Sequence, residues 1–320
     1  MSLAIAIVAV IIGLAVLVWS ADTFIDGATN LAVKLNMPSF LIGVIILGVG
    51  TSAPEMVVSA LSALDGSPGI ALGNAFGSNI MNIALVLGMA AIISPIAIKA
   101  NVIKQGMMFL IAATALVAFQ LSDGKLTLTE GIIMLVALAI VLFAQIVLSL
   151  KGRQSDDIPH ENEGINTRKA IFSLIVGLVL LVLSSRVIVF GAVELAKLWG
   201  LSELLIGLTI VAIGTSLPEL VASIVAARRG ESDMALGNIV GSNLFNTLGV
   251  VGLAAIISPM NVEASILNRD MLMVGIMTTM LFILSLVALR QKSSLYRMAG
   301  IILLTTFVIY TFWLIQTATI

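Results

Sequence analysis

Cysteine is absent from the 320 residues, and His160 is the only histidine. The first absence removes disulfides, thiolate metal sites and cysteine nucleophiles. The second leaves almost no material for a zinc site or a histidine-based triad. Charge is scarce as well: 10% of residues, 16 basic against 17 acidic, for a net charge of −1, so nothing favours nucleic acid as a partner. No basic residue precedes the first apolar run after Met1-Ser2-Leu3. A cleaved signal peptide is therefore not expected, and the first segment reads as a permanent span. What is abundant is apolar side chain, 60% of the chain, with a mean hydropathy of +1.17. A soluble domain could not hide that much apolar surface. The composition implies an integral protein of the cell membrane with the lipid bilayer as its main partner, and it implies no obligate protein partner.

Apolar runs of about 18 residues or more mark membrane spans. Ten are expected, over roughly 3–20, 40–64, 70–93, 105–121, 128–150, 170–189, 204–227, 234–257, 270–289 and 298–316. The polar stretch 151–169 divides them five and five, giving a first repeat over 1–150, a linker over 151–169 and a second repeat over 170–320. His160 and its neighbours Asp156, Asp157, Glu161 and Glu163 fall in this linker and read as a solvated loop without EF-hand spacing.

The two halves are copies. A shift of 164 aligns Gly13–Pro95 with Gly177–Pro259 without a gap, and over 40–96 about half the positions are identical. Five is odd, so two sequential copies enter the membrane from opposite sides. The expected fold is an all-α membrane protein: ten transmembrane helices as two inverted-topology five-helix repeats, with broken helices at the midplane. Basic residues set the orientation. With the N-terminus outside, twelve of the 16 lie in cytoplasmic connections, among them Lys34, Lys99, Arg168, Lys169, Arg228 and Arg229; Lys125, Arg186, Lys197 and Arg269 do not. Both termini are then extracytoplasmic and the linker cytoplasmic. Asp22, Asp26, Arg186 and Glu194 fall near span ends and read as interfacial or paired charges, with a vestibule that attracts cations as the lesser reading.

Gly50-Thr51-Ser52-Ala53-Pro54-Glu55 returns as Gly214-Thr215-Ser216-Leu217-Pro218-Glu219, each copy inside an apolar run. A carboxylate there costs about 2.5–3.5 kcal/mol by insertion scales, so it implies a task. Pro54 and Pro218 each remove a backbone donor and should break or kink spans two and seven. Freed carbonyls, hydroxyls and a carboxylate make an oxygen-only cage suited to hard cations such as Ca²⁺ and Na⁺. Spans three and eight carry Gly-Asn-x-x-Gly-Ser-Asn-x-x-Asn, as Gly73–Asn82 and Gly237–Asn246. Ser78 and Asn82 lie one turn apart, as do Ser242 and Asn246, and so face the same way. Asn74, Asn79, Asn238 and Asn243 are read as orienting ligands from behind. The pseudo-two-fold brings Glu55 and Glu219 together. Two ionised glutamates are balanced by one Ca²⁺ or by two Na⁺, whereas a bare pair repels itself. This is a physical root for obligatory exchange.

This duplicated, long and spaced motif resembles the alpha repeats of the Na⁺/Ca²⁺ exchanger family, within the cation/Ca²⁺ antiporter superfamily. The resemblance covers most of both halves. It implies a secondary antiporter, not an enzyme, that exchanges Ca²⁺ for Na⁺ by alternating access without a cofactor. It implies Glu55 and Glu219 as central ligands, with Thr51, Ser52, Ser78, Asn82, Thr215, Ser216, Ser242 and Asn246 around them, and spans one and six as long moving helices. Where some prokaryotic relatives carry aspartate, this chain has Asn246. A Ca²⁺/H⁺ antiporter using the same glutamates is the alternative. A channel is disfavoured by the inverted repeats, and an intramembrane hydrolase by the lack of a nucleophile–base pair.

Overall fold

A computed structural model describes residues 3–151, 166–200, 210, 212–291 and 294–318. The His160 segment and most of the first half of the seventh expected span lie outside the described residues. The helices are α1 (Leu3–Lys34), α2 (Ser39–Leu64), α3 (Pro68–Ile93), α4 (Ala100–Asp123), α5 (Leu128–Lys151), α6 (Thr167–Leu198), α7 (Ala212–Thr215), α8 (Leu217–Arg228), α9 (Ser232–Ile257), α10 (Ile266–Arg290) and α11 (Arg297–Ala318). Among the described residues, nine are long and apolar enough to cross a membrane; α7 and α8 belong to the seventh expected span.

Helices α1 and α6 are each 32 residues long, well beyond the 18–20 residues expected of spans one and six. Hydropathy ends a span at the first charges, but a helix continues wherever its charges find water or a counter-ion. Asp22, Asp26 and Arg186 therefore sit within helices, not at their ends. Helices α1 and α6 pack closely through small residues. A Cβ on Gly177 would lie 2.5 Å from the Phe24 nitrogen, and one on Gly27 2.4 Å from the Leu174 nitrogen. Their counterparts Gly13 and Gly191 lie instead against the side chains of Ile188 and Val10.

Helices α2, α3, α8 and α9 form the centre. The α9 span is 89% buried, against 22% for the α1 span. Helix α2 packs backbone to backbone on α9. A Cβ on Gly43 would stand 2.4 Å from the Met234 carbonyl, and one on Gly237 2.4 Å from that of Phe40. Two short antiparallel ladders tie the halves at opposite ends. Strand β1 (Ile96–Ala97) pairs with β4 (Ser294–Leu295), and β2 (Lys125–Leu126) with β3 (Met260–Asn261).

The α1 end at Lys34, the α6 start and Arg229 share one side of the bundle, here the linker face. Leu64 and Leu198 lie toward the opposite face.

Candidate ion site

The repeated motif is held differently in its two copies. Pro218 occupies the first turn of α8, where a missing N–H leaves nothing unpaired. The chain breaks just before it, at Ser216 (φ −94°, ψ 9°). Pro54 instead lies inside unbroken helix, and the irregularity in α2 is a π-helical turn over Gly43–Leu47, upstream of the motif. Further π turns run over Asn82–Leu87 in α3 and Phe245–Val250 in α9. Each falls at the motif's last asparagine. A π turn adds a residue to the helical ring and so re-aims the side chains at its start.

These distortions gather the motif residues in the core. Glu55 and Glu219 are each only 1% exposed. The halves interlock: Ser52 Oγ donates to Glu219 Oε1 at 3.3 Å, and Thr51 Oγ1 lies 3.2 Å from Asn238 Oδ1 and 3.5 Å from Ser242 Oγ. Thr51 also donates to the Leu47 carbonyl at 2.9 Å. Ser78, Asn82, Ser216, Ser242 and Asn246 are buried. Thr215 is half-buried and lines a cavity described below.

Many of these buried atoms have no hydrogen-bond partner among the described residues: both carboxylate oxygens of Glu55, Oε2 of Glu219, the side-chain oxygens and nitrogens of Asn82 and Asn246, and the Ser216 hydroxyl. Buried polar groups are ordinarily paired. A cluster of orphaned oxygens in one place is a set of donors facing something other than protein. The oxygens are hard, with two carboxylates among neutral groups, which fits a desolvated alkali or alkaline-earth cation.

Behind them stand two of the asparagines expected there and two serines that the motif does not include. Asn74 Nδ2 donates to the Glu55 carbonyl (3.3 Å) and to Ser59 Oγ (2.9 Å); Asn238 Nδ2 does the same to the Glu219 carbonyl (3.4 Å) and Ser223 Oγ (2.9 Å). Ser59 and Ser223 went unremarked, although they match under the 164-residue shift and lie one turn past the glutamates. Asn79 donates to Thr247 at 2.7 Å, while its counterpart Asn243 donates within its own helix to the Ile239 carbonyl. Position 83, which matches Thr247, is Ile83 and offers no hydroxyl.

Arg186 lies twelve residues before the end of α6 and, with Pro54, Val58, Val193, Gly214 and Thr215, lines a cavity of about 420 Å³.

The sequence pattern of the family described as "Sodium/calcium exchanger protein" matches residues 5–147 and 169–316, one block in each half. A protein of Alkalimonas amylolytica, provisionally named antiporter CaxA, is 41% identical over 97% of this chain and 98% of its own length. The sodium/calcium exchanger MaX1 of Methanosarcina acetivorans is 29% identical over 86% and 90%. A solved structure of the sodium-calcium exchanger NCX_Mj, soaked with Na⁺ and Sr²⁺, superposes with a TM-score of 0.83 at 30% identity, covering 96% of this chain and 98% of that one. Fold, site and likeness together define a multi-pass membrane transporter of the cation/Ca²⁺ antiporter class. The chain belongs to the sodium/calcium exchanger family.

Proposed function

We propose that this antiporter exchanges Ca²⁺ for Na⁺ by alternating access, and that Glu55 and Glu219 hold the transported ions with Thr51, Ser52, Ser78, Asn82, Thr215, Ser216, Ser242 and Asn246. The observation that carries the reading is the cluster of buried carboxylate and amide oxygens left without partners, drawn from both halves. The charge balance supports it. Two carboxylates are neutralised by one Ca²⁺ or two Na⁺, so each loaded form crosses the bilayer without a bare buried charge. The cation coupling of the named relatives supports the choice of Na⁺.

One observation favours proton coupling as the second reading. Positions 82 and 246 are both asparagine, so two carboxylates carry all the acidity of the motif and two protons would balance them equally well. Radiocalcium uptake into proteoliposomes separates the readings: an outward Na⁺ gradient drives it under ours, and a proton gradient without Na⁺ under the other.

The linker is assigned to the cytoplasm and both termini to the opposite side. Support comes from Lys34, Arg168, Lys169, Arg228 and Arg229, which gather at the linker face. The functional units are then the repeats 1–150 and 170–320, joined by 151–169.

A further inference from the structure

The 164-residue shift pairs Asp22 with Arg186 and Arg229 with Asp65. The sign of charge is reversed at both positions, so one acid and one arginine are kept on each face. The backbone confirms the correspondence of the second pair. Asp65 and Arg229 end their helices with the same geometry (φ −77°, ψ 7° and φ −80°, ψ −1°), each followed by a glycine in the left-handed region, Gly66 and Gly230.

Only one of the two pairs is closed. At the linker face Arg229 donates to Asp22 through Nε at 2.9 Å and also approaches Asp26 at 3.7 Å. At the opposite face Arg186 and Asp65 are not joined, and neither makes an ion pair among the described residues. The packing beside them differs in the same sense. Ala21, Ile25, Thr51 and Ala222 at the linker face are wholly buried. Their counterparts Ser185, Val189, Thr215 and Val58 line the cavity, which runs from the motif past Arg186 to Val193. Among the described residues the packing is thus tight where the ion pair is made and leaves a cavity where it is apart.

We infer that Asp22–Arg229 and Arg186–Asp65 are alternating latches: the first holds the linker side shut while the site opens to the other face, and the second forms when α1 and α6 shift together and the site opens to the linker side. The glycine contacts that bind α1 to α6 make the two helices one moving body, so a single displacement releases one latch and brings the other together. Each latch unites one arginine and one aspartate, so the reach is the same on both faces. Asp26 adds a second carboxylate at the linker face alone, where its counterpart is Phe190, so the pairing favours the state described here. An exposed pair of this kind is weak, enough to shift a near-balanced equilibrium without locking it.

The inference rests on the alternating-access reading above, but its test does not require transport. The absence of native cysteine lets single thiols report. Val193→Cys, in the cavity, is labelled by a water-soluble maleimide in proteoliposomes. Adding Asp65→Asn should raise its labelling rate, and adding Asp22→Asn should lower it, each by up to about fivefold. Separately, Asp65→Cys with Arg186→Cys should be bridged by a reducible bifunctional thiol reagent as long as an arginine–aspartate pair, with Asp22→Cys and Arg229→Cys as the control. Opposite labelling shifts and bridging of both pairs support the latches. Labelling that shifts the same way in both variants or in neither, or bridging of the control pair alone, overturns them. Absence of Na⁺-driven flux with these shifts intact would count against the transport reading and leave the latches standing.

Discussion

The Ser52 hydroxyl donates to Oε1 of Glu219 at 3.3 Å, joining residues 167 positions apart in the chain. The mirror contact, Ser216 to Glu55, is not made: the Ser216 hydroxyl and both Glu55 oxygens have no partner among the described residues. Two copies of one motif thus hold their glutamates unequally, as expected of a machine whose halves exchange conformations.

Glu55→Gln or Glu219→Gln removes half the compensating charge. Each should abolish Ca²⁺ exchange, measured as radiocalcium counterflow in proteoliposomes. Counterflow at the wild-type rate in either variant would refute the assignment of the site.

Ser52→Ala removes the hydrogen bond to Glu219 and a nearby oxygen, while leaving no large cavity. A hydrogen bond to a charged group contributes about 1.5–3 kcal/mol. The half-saturating Ca²⁺ concentration should rise by roughly tenfold or more. Ser59→Ala, which removes only the brace on Asn74, should act more weakly in the same titration.

Asn246→Asp adds a third carboxylate beside the pair. The charge to be balanced then changes from two to three, so the Na⁺ Hill coefficient or the pH profile of flux should shift. Identical profiles in the variant and the parent would place residue 246 outside the site.

Gly237→Ala sets a Cβ 2.4 Å from the Phe40 carbonyl and 2.9 Å from the Gly43 Cα, both backbone atoms of α2. The helices must part, at about 1–3 kcal/mol. Thermal unfolding of the detergent-purified variant should occur several degrees lower. Gly275→Ala meets nothing within 4 Å and should be neutral or mildly stabilising.

Much of this was legible in the sequence. The 164-residue repeat alone implied inverted halves and the meeting of Glu55 with Glu219, because the motif is long and ungapped. Helix length was not legible: a hydropathy window stops near residues 20 and 189, whereas the helices run on to Lys34 and Leu198, with Asp22 paired to Arg229. The π turns at Asn82 and Phe245 leave no sequence signal, since adding one residue to a ring does not alter composition. The unequal breaks at Pro54 and Ser216 could not be read either. Two near-identical motifs were held in different conformations by their surroundings, and a local pattern is blind to that. The braces Ser59 and Ser223 were within reach of the same shift that found the glutamates.

The central claim concerns one pair of acidic side chains holding Ca²⁺ or Na⁺ in competition. Equilibrium radiocalcium binding to the purified protein tests it most directly. The account predicts saturable binding of one Ca²⁺ per chain, displaced by Na⁺ and lost in Glu55→Gln and Glu219→Gln. Binding that persists in both variants, or that Na⁺ leaves untouched at every concentration, would contradict it.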